Sequence, residues 1–209
     1  MPWLHELWNS TTIVFLGATL SAIGAIWASN NRAGFERELR AKSEEIATLN
    51  KRIAETVTGG DSYCQLILGP RIDRDRVSVM LIHKGEHPLY DLSVRVVDLE
   101  RLREVRHEQL TLQDMLVGDV LMENVGNLIP KSAKPIGEIE FPAGQEKNFN
   151  IFFAARNGFF TELLRTRIVE GELRQARKVL RRNEANEEVT LLEEIDDKFP
   201  RGEDGSPLW

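Results

Sequence analysis

The sequence is poor in cysteine and histidine, and this excludes several classes of protein at the outset. Its 209 residues include one cysteine and four histidines. A single cysteine cannot form an internal disulfide, so a disulfide framework and a cysteine-rich zinc module are excluded. The sequence also lacks a glycine-rich phosphate loop, a Gly-x-Ser-x-Gly elbow and a His-Glu-x-x-His motif. We therefore predict that the chain is not an enzyme and that it has no cofactor, catalytic residue or metal ligand.

Positive charge is not in excess either. Lys and Arg total 27 against 33 for Asp and Glu, which gives a net charge of −6. An acidic chain is an unfavourable general binder of nucleic acid, so we expect no nucleic-acid partner. Apolar residues nevertheless make up 42% of the chain, which is too many for a disordered protein. The length suggests one domain of ordinary size and an additional segment.

That additional segment is an uncharged stretch near the N-terminus, from Leu7 to Asn31. Its apolar centre, residues 11–29, reaches nearly across a hydrocarbon core of roughly 30 Å at about 1.5 Å per helical residue. A cleaved signal peptide and a buried soluble helix are the alternatives. However, no Lys or Arg precedes the run, and Ile26 and Ala28 make a poor cleavage site. We therefore predict a transmembrane helix at residues 11–29, after a short N-terminal tail of residues 1–10.

Basic residues follow this stretch but do not precede it. The positive-inside rule therefore predicts an N-terminus outside the cell and a cytoplasmic domain after residue 31. The basic residues that follow the span are Arg32, Arg37, Arg40 and Lys42.

Two patterns in the N-terminal third favour self-association. Small residues recur every four positions within the predicted span, and such spacing lets helix backbones approach closely. Residues 32–58 then read as a helix with apolar side chains at heptad spacing, and we predict a juxtamembrane stalk there. A dimerising coiled coil and a solvated spacer helix both fit this segment, so a homodimer is one of two alternatives. The candidate self-association residues are Gly17, Ser21, Ala25, Leu39, Ile46, Leu49 and Ile53.

From Asp61 onward the dominant period of the sequence is two, which is typical of β-strands. Residues 61–197 predict a mainly β domain, an immunoglobulin-like antiparallel β-sandwich. Residues 99–135 are not assigned: Leu99, Leu102 and Val105 fit a helix or a strand, and Thr111 with Asp114 fits a helix cap. Residues 198–209 form a polar C-terminal tail, either disordered or a docking peptide. The predicted strands are 63–68, 77–82, 89–97, 136–141, 149–153, 161–169, 172–182 (strand or helix) and 189–195.

Few residues stand out as candidates for chemistry or binding. His83 and His87 could share a metal with Cys64 or Asp91, and Cys64 could be a nucleophile, but an exposed turn and a buried strand cysteine explain them better. Phe159 and Phe160 follow a turn and either plug the core or form an exposed contact. A basic stripe is the candidate surface for an acidic partner or a lipid headgroup, and a solvated hairpin face is its alternative. The basic stripe consists of Arg165, Arg167, Arg174, Arg177, Lys178, Arg181 and Arg182.

Three further stretches carry a resemblance to a group of proteins. They are Thr58-Gly59-Gly60-Asp61-Ser62-Tyr63, Gly85-Glu86-His87-Pro88-Leu89-Tyr90-Asp91 and Ala155-Arg156-Asn157-Gly158. In this order they resemble uncharacterised bacterial single-span membrane proteins with a C-terminal β-rich domain, over roughly residues 57 to 200. The resemblance implies the fold and a bacterial inner (plasma) membrane location, and it implies no activity.

These patterns together favour an interaction protein. We predict a membrane-anchored, non-enzymatic chain whose β-sandwich recruits a protein partner. The alternative is a ligand-sensing module in which an effector held by the sandwich biases a dimeric stalk.

Overall fold

The fold is given by a computed structural model, which describes residues 10–104, 116–183 and 185–209. The side chains of residues 10–12, 28, 30, 31 and 33 lie outside this description. The chain divides into two compact units, Met1–Ile53 and Ala54–Trp209.

A single long helix, α1, runs through residues Ser10–Thr58. No proline interrupts it, and its only glycines are Gly17, Gly24 and Gly34. The helix ends at two glycines, because Gly59 and Gly60 take positive φ angles of 105° and 52° that stop further helical turns. Residues 11–29 and residues 32–58 therefore fall within one continuous helix, and the role of residues 32–58 as a stalk stays a prediction. Coiled-coil pairing is a property of two chains, and it stays a prediction.

Within the described residues, no helix is both long enough and apolar enough to cross a membrane. The transmembrane helix predicted at residues 11–29 is therefore not supported. The predicted tail at residues 1–10 lies outside the described residues, except for the backbone of Ser10.

The second unit is mainly β, as predicted, and its strands form two antiparallel sheets. A three-stranded sheet has the order β1-β2-β5, and a six-stranded sheet has the order β4-β3-β6-β7-β8-β9. The strands are β1 Tyr63–Arg71, β2 Arg76–Lys84, β3 Leu89–Asp98, β4 Asp119–Leu128, β5 Ala133–Glu140, β6 Asn148–Ala155, β7 Gly158–Val169, β8 Glu172–Arg182 and β9 Glu188–Ile195.

The core lies between the two sheets and follows the alternation of the strands. Leu66 and Leu81 of the smaller sheet and Val96 and Ile151 of the larger sheet are completely buried. Leu164 on β7 belongs to the same apolar cluster. Side chains of alternate positions thus share one inner face of each sheet, which is consistent with a β-sandwich. The immunoglobulin-like assignment goes further than this architecture and stays a prediction.

In the described part of the segment that the sequence left unassigned, residues 99–104 and 116–135, the structure has a helix, a strand and the start of β5. A short helix, α2, occupies Leu99–Glu104 and begins where Asp98 Oδ1 accepts a hydrogen bond from the Glu100 N–H at 2.9 Å. Strand β4 follows at Asp119–Leu128 and lies at the edge of the larger sheet. Val105 and the predicted cap of Thr111 and Asp114 lie outside the described residues.

The last residues fold back onto the larger sheet. Phe199 is buried, and Arg201 forms an isolated β-bridge with Pro207. The Arg167 guanidinium lies 5.8 Å from the Phe199 ring, and Lys178 Nζ lies 5.7 Å from the Trp209 ring. The C-terminal tail thus covers part of the sheet with its two aromatic side chains.

Candidate functional site

The three stretches that carry the resemblance meet at one end of the second unit. The Asn157 side-chain amide donates to the carbonyls of Gly60 at 2.9 Å and Ser62 at 2.7 Å. Gly85 packs so closely on Ser62 that a Cβ there would lie 2.5 Å from its hydroxyl oxygen, and its φ of 114° also requires glycine. Ser62 is therefore joined by hydrogen bonds to His87 and to Asn157, which lie 25 and 95 residues further along the chain.

The last turn of α1 within this unit is part of the same cluster. Arg156 Nη1 donates to the Val57 carbonyl at 3.3 Å, and its guanidinium also pairs with Asp91 at 2.8 Å. His87 Nε2 lies 3.8 Å from a Glu55 carboxylate oxygen. We call this cluster the helix junction, and it fixes residues 54–58 to the β2–β3 and β6–β7 turns. A cleft of about 310 Å³ opens beside it, lined by Glu55, Asp61, Ser62, Gly85, Glu86 and His87.

The two histidines of the predicted turn do not converge on a shared ion. His83 is buried, and its Nε2 pairs with the backbone carbonyl of His87 at 2.8 Å. Burial lowers the pKa of His83, although the hydrogen bond to His87 opposes this. Among the described residues, no group of three or more His, Cys, Asp or Glu side chains is placed to hold a metal ion.

Cys64 lies opposite His83 in the β1–β2 pair but is completely buried. Burial, with a smaller contribution from Glu162, raises the pKa of the Cys64 thiol well above its usual range. A buried thiol that stays protonated is a poor nucleophile. This geometry fits a small apolar core residue.

The basic stripe divides between the two faces of the larger sheet. Cross-strand partners share a face, and Arg181 is paired with the buried Phe160, so odd-numbered residues of β8 up to 181 point inward. Even-numbered residues of β8 lie on the outer face, opposite odd-numbered residues of β7. The inner members are Arg177 and Arg181, and the outer members are Arg165, Arg167, Arg174, Lys178 and Arg182.

The two inner arginines cover the free edge of strand β1. Arg181 Nη2 donates to the Ser62 carbonyl at 2.7 Å, and Arg177 Nη1 donates to the Leu66 carbonyl at 3.4 Å. Burial lowers the pKa of Arg181, and the charge of Asp61 opposes this. These side chains satisfy backbone groups that an open strand edge would otherwise offer to another chain.

Four of the outer basic residues are also occupied within the fold. Arg165 is buried and donates to the Phe149 carbonyl at 2.6 Å. Arg167 and Lys178 contact the tail, as described above, while Arg174 pairs with Glu172. Arg182 is different, because 66% of its side chain is exposed. The structure therefore does not present the seven residues as one basic surface, and their role in binding stays a prediction.

Three large exposed apolar side chains lie on the same outer face of the sheet as Arg182. Met122 is 62% exposed, Phe152 is 42% exposed and Phe159 is 77% exposed. Met122 and Phe152 are both paired with Arg95 from its two sides, and Phe159 is paired with Ala154, which is on the same face as Phe152. We call these three residues the aromatic face.

Two hollows lie on either side of the Phe159 ring. The first, of about 420 Å³, includes Met122, Phe152 and Phe159 in its wall. The second, of about 770 Å³, includes Phe159, Leu180 and Arg182. Arg95 lies between Met122 and Phe152, with its guanidinium 6.0 Å from the Phe152 ring and 2.7 Å from the Asp119 carboxylate. A ridge of exposed rings between two apolar hollows is suited to hold side chains of another protein.

Strand β7, which carries Phe159 on its outer face, also carries a carboxyl group in the core on its inner face. Glu162 is completely buried, and its Oε2 accepts a hydrogen bond from the Leu66 N–H at 2.6 Å. Its second oxygen has no hydrogen-bond partner within the described part of the chain. Burial raises the pKa of Glu162 to about 7, although the Leu66 N–H and Arg177 favour the charged form.

Comparison with known proteins adds no relative. No family model, curated protein or solved structure matches the chain. The resemblance to bacterial single-span proteins therefore stays a prediction.

The sequence anticipated the aromatic face only in part. From the sequence, Phe159 and Phe160 could each be a core residue or an exposed contact. The structure places Phe160 in the core and Phe159 on the surface. Phe152 was detectable, because Phe149, Ile151 and Phe153 alternate inward and leave Phe152 on the other face. Met122 was not detectable, since the strand that carries it was not assigned. Glu162 gave no signal, because an acidic residue in an alternating strand normally faces water.

Proposed function

We propose that this chain is a non-enzymatic interaction protein whose β-sandwich binds a protein partner through the aromatic face. The observation that carries the proposal is the exposure of Met122, Phe152 and Phe159 on one face of the larger sheet, where Arg95 lies between Met122 and Phe152. Contiguous apolar surface of this kind marks interaction sites in folded proteins. Aromatic residues and methionine are also enriched at protein interfaces. The proposal keeps an immunoglobulin-like sandwich as the recognition module.

Site-specific photo-crosslinking tests this proposal. A photoreactive phenylalanine analogue at position 159 of the full chain should capture one protein species in intact cells, and Met122→Ser should lower the yield several-fold. The control places the same analogue at Ile129, which is 64% exposed in the β4–β5 turn. Equal capture from both positions, or capture that Met122→Ser leaves unchanged, would count against the aromatic face.

Attachment to the bacterial inner membrane belongs to the same proposal, with the N-terminus outside and the sandwich in the cytoplasm. Its support is the uncharged sequence of residues 7–31 and the exposure of the apolar side chains from Ile13 to Trp27. Alkaline carbonate extraction of cell membranes is the appropriate measurement. The full chain should stay in the membrane pellet, and release into the supernatant would contradict the anchoring.

A ligand-sensing module coupled to a dimeric stalk is the second candidate, and the helix junction favours it. Asn157 and Arg156 fix the last turn of α1 to the turns of the sandwich, so a change in those turns would reach the helix end directly. A ligand acts in this way only if it binds two states of the junction unequally. Thermal unfolding of the full chain with metal ions and a metabolite panel should show a shift if the sensor candidate is right.

A further inference from the structure

We infer that the aromatic face accepts an extended peptide segment of its partner, with an aromatic residue next to an acidic one, laid along the outer face of β8 beside the C-terminal tail. This inference rests on the proposed function and names the kind of partner. It commits to a linear segment rather than a folded surface. The C-terminal tail is an example of what this sheet face already binds.

The tail shows that the outer face of the larger sheet takes aromatic side chains beside basic ones. Phe199 is buried against this face, with the Arg167 guanidinium 5.8 Å from its ring. Trp209 repeats the arrangement with Lys178 at 5.7 Å. Arg167 Nη2 also donates to the Leu208 carbonyl at 3.5 Å, so a basic side chain holds the backbone of the bound segment. Cations over aromatic rings attract each other through the ring quadrupole.

The open hollow continues the covered surface along one strand. Lys178, Leu180 and Arg182 alternate on the outer face of β8, roughly 7 Å apart. Lys178 is already beneath Trp209, whereas Leu180 and Arg182 line the second hollow. The binding surface used by the tail therefore extends directly into the aromatic face.

The chemistry of the open part matches that of the covered part. Its apolar wall is formed by Phe152, Phe159 and Leu180, and its volume of about 770 Å³ accommodates an aromatic ring with neighbouring backbone. Arg182 supplies the basic side chain; its closest carboxylate contact is Glu188 at 3.9 Å. An acidic residue of the partner would form a closer pair with this exposed guanidinium. Together these features specify one aromatic and one acidic residue in the bound segment.

Selection from a random 12-residue peptide display library on the purified full chain tests the inference. The chain is kept in a mild non-ionic detergent because α1 exposes apolar side chains. Enriched peptides should share an aromatic residue within two positions of Asp or Glu. Phe159→Ser should weaken their binding at least tenfold, and Arg182→Glu should select against the acidic residue. The matched control Ile129→Ser should bind them as the unchanged chain does.

The outcomes separate this inference from the proposed function. Enrichment of basic peptides, of peptides without an aromatic residue, or of none overturns the linear-segment class. If crosslinking at position 159 still captures a protein in that case, the aromatic face stands and its partner uses a folded surface. Peptides of the expected kind that bind Phe159→Ser equally well would place the peptide site elsewhere and overturn the inference. Thermal unfolding of each variant shows that it is folded, since both substituted side chains are mostly exposed.

Discussion

At the scale of single residues, the most consequential side chain is the carboxyl group of Glu162. It is completely buried between the sheets, where its Oε2 accepts from the β1 backbone. Arg177 on β8 favours its ionisation, while Glu194 on β9 and the burial itself oppose it. The charge of Glu162 also contributes to the raised pKa of the Cys64 thiol on β1. Protonation of Glu162 therefore stabilises the native state.

The stability of the sandwich should consequently fall as the pH rises. The pKa of Glu162 is raised from 4.5 to about 7 in the folded chain, so its contribution is fully present below about pH 4.5 and is lost as the pH rises through about 7. The shift corresponds to about 3 kcal/mol of unfolding free energy. Glu162→Gln keeps an acceptor for the Leu66 N–H and should remove this dependence. Urea unfolding between pH 4.5 and 8, followed by circular dichroism, measures the difference between the two chains.

The matched control is Glu123→Gln, which changes an exposed carboxylate on β4. Its pH profile should follow that of the unchanged chain, because other titrating groups such as His83 are common to both. A Glu162→Gln profile parallel to the unchanged one would show that the pKa of this carboxyl is not raised in the folded chain.

Asn157 is the second residue whose role is local. Its amide donates to two carbonyls, Gly60 and Ser62, and so joins the β6–β7 turn to the chain segment after α1. Asn157→Ala removes both hydrogen bonds and should lower the unfolding free energy by about 2 kcal/mol. Chemical denaturation measures this, with the exposed Asn124→Ala as the control. Equal effects of the two substitutions would show that the helix junction adds little stability.

At the scale of elements, strand β8 shows why its basic residues do not act together. Neighbouring residues of a strand point to opposite faces, so Arg181 and Arg182 have different environments. Arg181 lies over the Phe160 ring at 5.8 Å and donates to Ser62, whereas Arg182 is mostly exposed. A run of basic residues in a sequence therefore does not make a basic surface.

These adjacent arginines form a matched pair for mutation. Arg181→Ala should lower the unfolding free energy by about 2 kcal/mol, because it removes packing on Phe160 and a hydrogen bond to the β1 edge. Arg182→Ala should change it by less than about 0.5 kcal/mol. Binding should show the reverse order, with Arg182→Ala weakening the partner more. Denaturation and peptide binding on the same two variants check both statements. A larger loss of stability for Arg182→Ala would contradict the assigned faces.

Most strands of the domain were predictable because their alternation is clear. The pattern of β3 placed Leu92, Val94 and Val96 on one face, and the structure buries all three. β4 could not be predicted, since Met122 and Asn124 lie on its outer face and bulges interrupt its pairing with β3. The sequence of β8 fits a strand or a helix, because Leu173, Ala176 and Leu180 also fit a helical period. This segment is a strand because it pairs with β7 and β9, and the local sequence does not encode that pairing.

The aromatic face shows a further limit of sequence reasoning. Its members come from β4, β6 and β7, and only the pairing of these strands with β3 and with one another brings them together. The sequence indicates which residues can be exposed, but it does not indicate which of them lie next to one another in the sheet. The buried contacts of Arg165 and Arg177 were hidden for the same reason, since their partners come from β6 and β1.

At the scale of the whole molecule, the C-terminal tail is part of the packed domain. Phe199 is buried on the outer face of the larger sheet, with the Arg167 guanidinium 5.8 Å from its ring. The Asp196 N–H donates to the Gln175 carbonyl, so the tail leaves β9 while still attached to β8. The tail therefore covers the outer side of the larger sheet at this end, whereas the aromatic face is exposed.

Loss of the contacts between the C-terminal tail and the larger sheet should lower the unfolding free energy of the whole domain. Phe199→Ala takes away a buried ring and should lower the unfolding free energy by about 3 kcal/mol. Leu208→Ala, on a side chain that is 46% exposed, should cost less than about 1 kcal/mol, because the backbone carbonyl that Arg167 contacts is kept. The two variants, compared by urea unfolding, separate ring burial from the mere presence of the tail. Because the tail adjoins the second hollow, Phe199→Ala should also strengthen binding of selected peptides by exposing more of β8. A variant as stable as Leu208→Ala would mean that Phe199 is not buried on the outer face of the sheet in solution, and the sheet would then offer a longer apolar surface to partners.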